Sequence, residues 1–153
     1  MIENAIAEFR SFNRFYTAVI GLLDRHILNS HYTLAEVRIM YELYYSRNQT
    51  ASNLIQTLSI DKGYLSRVLR QFEKSRLVRR QRSDDDTRVI FLSLTPEGKK
   101  VFRQLDKASS GQVAEILREI SSKDLSALLA SMAEIKRILS PKPQQGNETN
   151  RPE

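Results

Sequence analysis

The sequence predicts a mainly α-helical fold with a small β-wing: a winged helix-turn-helix flanked by N- and C-terminal dimerisation helices. Three observations carry this. The stretch from Asp61 to Gly98 reads helix, strand, turn, strand, helix start. Apolar residues recur at steps of three and four on both sides of it, over residues 2–29 and 99–140. All of the excess positive charge falls in one segment: residues 62–103 hold 12 Lys or Arg against 5 Asp or Glu, a net of +7, whereas residues 1–61 net −1 and residues 104–153 net 0. A cationic helix and an arginine-rich hairpin on one small domain form the footprint of a phosphate-binding surface, which duplex DNA fits. The plain alternative is a solvated basic face with no partner. A basic membrane-surface helix fits less well, because the charge is spread over a helix, two strands and a turn.

Ile2, Ile6, Phe9, Phe12, Tyr16, Val19, Ile20, Leu23 and Ile27 give a long amphipathic first helix over residues 2–29, and Phe15 and Leu22 widen its stripe. A stripe that wide suggests two packing surfaces. Thr33-Leu34-Ala35-Glu36 is a capping-box pattern that starts a second helix, with Leu34, Val37, Met40, Tyr41, Leu43 and Tyr44 as its apolar positions. Thr50 is the next N-cap candidate, before a short helix carrying Leu54, Ile55 and Leu58. Ser59-Ile60 makes the turn and Asp61 caps the following helix. There Leu65, Val68, Leu69 and Phe72 lie at i, i+3, i+4 and i+7, leaving Lys62, Gly63, Tyr64, Ser66, Arg67, Arg70 and Gln71 facing out. These outward groups are rich in donors for bases and phosphates.

Leu77–Arg82 and Val89–Leu94 read as two strands joined by a turn over Asp84–Thr87. Thr95 caps the next helix, with Pro96 at its first position and Glu97 in its first turn, where the helix end favours each. That helix carries Val101, Phe102, Leu105, Val113, Ile116, Leu117 and Ile120; a last one, starting at Ser121 or Ser122, carries Leu125, Leu128, Leu129, Met132, Ile135, Ile138 and Leu139. The polar, proline-bearing tail 141–153 is expected to be disordered. The expected division is therefore 1–32 for an N-terminal dimerisation helix, 33–98 for the winged helix-turn-helix, 99–140 for C-terminal dimerisation helices and 141–153 for the tail. The terminal stripes exceed what a small winged domain can cover, so the economical partner is a second copy of the chain.

Composition excludes several classes. The 153 residues fit one domain, with or without an appendage, and their 41% hydrophobic fraction is enough for a core. There is no cysteine, which removes disulfides, thiolate metal sites and thiol redox sensing. No apolar run approaches the length of a membrane span, and no signal-peptide pattern is visible; a cytoplasmic protein with no membrane partner is expected. His26 and His31 are poorly spaced for a helical metal pair, and Asp84, Asp85 and Asp86 sit beside arginines that can neutralise them. With no glycine-rich phosphate loop and no nucleophile–base pair, the expectation is no enzyme, no cofactor and no metal.

Taken together, the Ser66-Arg67 helix with its apolar face, Leu77-Val78, Asp86-Thr87-Arg88 and Leu94-Thr95-Pro96-Glu97-Gly98 resemble the MarR family (multiple-antibiotic-resistance regulators) over nearly all of the chain up to Ser140. The resemblance implies a homodimeric transcription regulator whose helix from Asp61 to about Ser75 enters the major groove. It implies that Arg88 enters the minor groove with Asp86 holding its guanidinium, because a narrow minor groove concentrates negative potential. It also implies a small aromatic or anionic effector bound among the first, second and fifth helices, for which Tyr16, His26, Tyr32, Arg38 and Tyr41 are candidates. Two positions depart from the family pattern: Arg76 and Ser59 stand where glycine is usual. The run Asp61–Arg67 resembles MarR-like domains fused to acetyltransferases; none follows here, which leaves a stand-alone relative or a piece of a longer protein.

The residues assign roles within that frame. Tyr64, Ser66, Arg67 and Arg70 are candidates for base or phosphate contact. Lys62, Arg79, Arg80 and Arg82 are expected to touch phosphates or supply background field, and Thr50 and Ser52 to offer hydroxyl or backbone N–H groups to a phosphate. Two copies on a two-fold axis would read an inverted repeat with half-sites about one helical turn apart. Repression is the family default. A protein-interaction module is the rival reading.

Overall fold

The computed structural model describes residues 1–21 and 30–140. Among the described residues, six helices and one hairpin follow in order: α1 (Ile2–Val19), α2 (Leu34–Tyr45), α3 (Ala51–Leu58), α4 (Lys62–Lys74), β1 (Val78–Arg82), β2 (Ile90–Leu94), α5 (Pro96–Leu117) and α6 (Ser122–Leu139). The fold is mainly helical with a two-stranded antiparallel sheet, as expected. The chain divides into two compact units, Met1–Glu115 and Ile116–Glu153.

Helix starts follow local side-chain chemistry. Thr33 and Glu36 form a complete capping box on α2; Thr50, Asp61 and Ser121 accept from backbone N–H groups at the starts of α3, α4 and α6. Thr95 does the same for α5, taking the Gly98 N–H at 3.0 Å on its Oγ1. Each cap satisfies a donor that the helix leaves orphaned. The first helix is shorter than its apolar stripe suggested. It ends at Val19, and Gly21 follows at φ +67°, the left-handed residue that commonly stops a helix. The rest of the expected span, residues 22–29, lies outside the described residues, as does the tail 141–153.

The core of the first unit collects Ile39, Met40 and Leu43 from α2, Leu54 from α3, and Leu65, Val68, Leu69 and Phe72 from α4. Leu77, the hairpin residues Val78, Leu92 and Leu94, and Phe102 and Leu105 of α5 complete it. The predicted α4 face is therefore the buried one. In the hairpin, Val78 pairs with Leu94, Arg80 with Leu92 and Arg82 with Ile90. Strand alternation then places Arg79 and Gln81 on the opposite face from Val78. Gln49 forms an isolated bridge with Leu92, its carbonyl accepting the Leu92 N–H at 2.7 Å, so the chain after α2 runs alongside β2.

Both glycine departures keep the glycine-like backbone. Ser59 (φ 51°) ends α3 and Arg76 (φ 58°) follows α4 in left-handed conformations. At Arg76 the conformation closes a helix terminus in which the Leu77 N–H reaches the Phe72 carbonyl at 2.8 Å and the Arg76 N–H the Glu73 carbonyl at 2.9 Å. A Cβ there is strained by ~1 kcal/mol. Replacing Arg76, which is exposed, by glycine is expected to raise unfolding stability by up to ~1 kcal/mol in urea titrations, a little of the gain being lost to the freer unfolded chain. A destabilised Arg76→Gly would show that the arginine side chain contributes more than its backbone strain costs.

Candidate nucleic-acid interface

The helix-turn-helix presents α4 as a two-sided element. Leu65, Val68, Leu69 and Phe72 are buried, while Lys62, Gly63, Ser66, Arg67, Arg70 and Gln71 are exposed. Asp61 Oδ1 accepts the Tyr64 N–H at 2.8 Å and fixes the start of the helix. Tyr64, expected among the outward groups, is half-buried and packs against the core, its hydroxyl 3.5 Å from Thr33 Oγ1. It ties α4 to the start of α2. On α3, Thr50 Oγ1 accepts the Asn53 N–H at 3.2 Å, so this hydroxyl is already engaged as a cap, and Ser52 is exposed in the first turn.

The basic run of β1 is split by the hairpin. Arg80 points to the recognition side and forms a two-pronged ion pair with Glu73 of α4, Nε to Oε1 and Nη2 to Oε2. That bond joins the wing to α4. Arg79 lies on the other face, where its Nε donates to Ser93 Oγ at 3.1 Å. Arg82 is exposed at the end of β1. Nothing in residue spacing pointed to the Glu73–Arg80 pair, because it depends on the angle at which β1 leaves α4.

At the wing tip Asp86 organises Arg88. Its Oδ1 accepts both the backbone N–H and the Nε–H of Arg88 at 3.0 Å, and its Oδ2 accepts from Nη2 at 3.0 Å. Ser83 Oγ takes the Asp85 and Asp86 N–H groups, and the Val89 N–H bonds the Asp86 carbonyl at 2.9 Å, closing the turn. The Arg88 side chain is nonetheless 89% exposed. It is a cation held in a fixed direction and open to solvent. The hydrogen bonds from Arg88 hold the Asp86 carboxyl below the usual carboxylate range and push the guanidinium higher still.

The candidate effector residues do not gather into one described cluster. The Arg38 guanidinium sits 4.8 Å from the Tyr41 ring centroid and its Nη2 bonds Glu42 at 2.8 Å. Tyr41, read with the apolar positions of α2, is 39% exposed and belongs to an aromatic group with Tyr45 and Phe102. Tyr32 packs edge-on against Phe72, and Tyr16 stacks on Phe12. His26 lies outside the described residues. Among the described residues no group of three or more His, Cys, Asp or Glu could hold a metal, and no helix is long and apolar enough to cross a membrane.

The MarR family model matches residues 32–90. The chain is 24% identical over 102 residues, 67% of its length, to the uncharacterised HTH-type transcriptional regulator YdgJ of Bacillus subtilis, of which the match spans 62%. Among solved structures it resembles a MarR family protein from Bacillus stearothermophilus (TM-score 0.78, 18% identity, 92% of this chain and 99% of that one). It also resembles a mutant MarR from E. coli complexed with operator DNA (TM-score 0.70, 19% identity, 92% and 99%). The family match thus falls on the winged helix-turn-helix, and the curated relative carries the description of an HTH-type transcriptional regulator.

Proposed function

We propose that this chain is a double-stranded-DNA-binding transcription regulator, acting in the cytoplasm as a homodimer on an inverted-repeat operator, as a repressor that a small aromatic or anionic molecule releases. The observation that carries the DNA reading is the wing tip. An exposed arginine is pre-oriented by two side-chain hydrogen bonds and one backbone hydrogen bond that it donates to Asp86, on a module whose recognition helix turns Ser66, Arg67 and Arg70 to solvent. Ser66, Arg67 and Arg70 contact bases or phosphates; Lys62, Arg79, Arg82, Ser52 and the Thr50 helix start contact phosphates; Arg88, aligned by Asp86, enters the minor groove. Tyr64 acts by seating α4 against α2. The mutant E. coli MarR held on operator DNA lends the fold a precedent for this docking.

The dimer rests on uncovered apolar surface. No described residue of α1 is buried, and Ile2, Ile6, Phe9, Phe12 and Phe15 are all exposed. In the second unit α6 likewise buries none of its described residues and exposes Leu129, Ile135, Ile138 and Leu139. Apolar stripes of that extent mark an interaction surface, and in a homodimer each copy covers the other's. Tyr16, His26, Tyr32, Arg38 and Tyr41 remain the candidates for effector contact, and the exposed Tyr45 ring beside Tyr41 joins them. The run Asp61–Arg67 favours kinship with MarR-like domains of acetyltransferase fusions, which the full reading frame would test.

Selection of bound sequences from a random duplex library, with salt titration of the enriched site, tests the reading. The expected result is an imperfect palindrome bound with a log–log salt slope steeper than about −5, as for a dimer neutralising ~6–10 phosphates. Absence of binding at low salt would reject it in favour of a protein-interaction module.

A further inference from the structure

The wing has a concave surface that shares Arg79 and Arg82 with the phosphate contacts proposed above. A cleft of about 680 Å³ lies between the C-terminal end of α2 with its following loop, the outer side of the hairpin and the first turn of α5. Its volume is within the range of small-ligand sites. Four cationic side chains line it from three separate elements: Arg47 after α2, Arg79 and Arg82 on β1, and Lys99 on α5. Tyr44 and Phe91 add aromatic surface.

We propose that this cleft is an anion-binding site that takes a phosphate or carboxylate group. The backbone that carries the charge is fixed by its own contacts. The Gln49–Leu92 bridge and the left-handed turn at Asn48 (φ 54°) fix the loop that carries Arg47 along β2. The Ser93 hydroxyl holds Arg79 across the hairpin. Arg47, Arg82 and Lys99 have no ion-pair partner among the described residues, whereas Arg38, Arg80, Arg88 and Arg137 each pair with a carboxylate. Converging cations without counter-ions raise the local positive potential, which one bound anion relieves. Asp84 and Asp85 also line the cleft but belong to the turn, beyond Arg82, and leave a net of two positive charges. The anionic group therefore sits at the Arg47, Arg79 and Lys99 end. The same chemistry is offered by a free small molecule and by a backbone phosphate of flanking duplex.

The test uses the whole chain without DNA. Inorganic phosphate and benzoate are titrated at constant ionic strength, balanced with chloride, and amide shifts of residues 46–49 and 91–93 are followed. Saturable binding of at least one probe is expected. The double variant Arg47→Gln, Lys99→Gln, which alters two exposed residues with no assigned DNA role, should weaken it by about tenfold or more. DNA binding then separates the sources. If the natural anion is a duplex phosphate, the variant lowers the salt slope by about one per protomer. An unchanged slope with lost probe binding assigns the site to a free anion. The proposal is overturned if neither probe saturates and the slope is unchanged, or if the variant binds the probes as the parent does. Loss of DNA binding with the probe titration intact would reject the regulator reading alone.

Discussion

Arg88→Ala is expected to weaken binding to the selected operator by ~100-fold, about tenfold for each of two half-sites, while leaving the melting temperature of the free protein almost unmoved. The two halves of this expectation come from one geometry. The Arg88 side chain is 89% exposed, so its pair with Asp86 is screened by water and adds little to folding. Its value lies in direction. Two bonds at 3.0 Å hold the guanidinium on one bearing and a third, from the Arg88 backbone N–H, fixes its base, so less side-chain freedom is lost when it enters a groove. Asp86→Ala separates this account from a simpler one. If Asp86 aligns Arg88, its removal weakens binding, by less than Arg88→Ala. If Asp86 is only a negative charge near the phosphates, its removal tightens binding. Because Asp86 titrates below the ordinary carboxylate range, the pair is fully formed above the unfolded aspartate's pKa and is lost only as pH falls through the lower folded value. Wing-dependent affinity should then stay constant between about pH 5 and pH 8. Arg67→Ala provides the contrast: a base-reading arginine costs ~1–3 kcal/mol and relaxes sequence preference, whereas equal losses on operator and random DNA would make Arg67 a phosphate contact.

How much of this was legible in the chain depends on the reach of the interaction concerned. Caps at Thr33, Thr50, Asp61 and Thr95 could be read because donor and acceptor lie three residues apart. The buried face of α4 followed from the period of 3.6, and the hairpin from two strand-like segments joined by the Asp84–Thr87 turn. Ser59 and Arg76 stand where the family pattern places glycine, and the chain keeps a left-handed backbone at both, at a cost that the sequence does not reveal. What escaped was set by neighbours. Tyr64 sits beside the buried stripe of α4, and only the approach of Thr33 decides that it turns inward. Tyr41 follows the apolar spacing of α2 yet is exposed, since periodicity names a face and not what covers it. Glu73 and Arg80 meet across a helix–strand junction that no local pattern encodes. The cleft beside the wing draws Arg47, Arg79 and Lys99 from distant positions, so in the sequence Arg79 read as a phosphate contact or background field and Arg47 and Lys99 carried no role.

Gly98→Ala and Gly111→Ala, the same substitution in the same helix, should move stability in opposite directions. Alanine is the better helix former by about 1 kcal/mol, and at Gly111 nothing lies within 4 Å of an added Cβ, so that variant should gain up to that amount. At Gly98 the methyl would overlap the Leu77 carbonyl oxygen and stand 2.9 Å from its carbon, both of them backbone atoms that no rotamer change can move aside. That carbonyl is also committed: it accepts the Thr95 N–H at 2.9 Å, while Thr95 Oγ1 donates to the Arg76 carbonyl at 2.6 Å and receives the Gly98 N–H. Relieving the clash means pulling the start of α5 away from the strand entrance and loosening this bond set. Overpacking against a fixed backbone typically costs about 1–3 kcal/mol, so with the helix-propensity gain subtracted Gly98→Ala should still lose up to ~2 kcal/mol in urea unfolding. The shift would not stay local. Leu77 opens the strand that carries Arg79, Arg80 and Arg82, and Glu73 binds Arg80 from the other side, so a displaced Leu77 also tilts the wing against α4. DNA affinity should therefore fall in Gly98→Ala even where the protein is fully folded, and remain at the parent value in Gly111→Ala. A folded Gly98→Ala with parental affinity would mean that the wing's position does not depend on the close approach of α5 to Leu77.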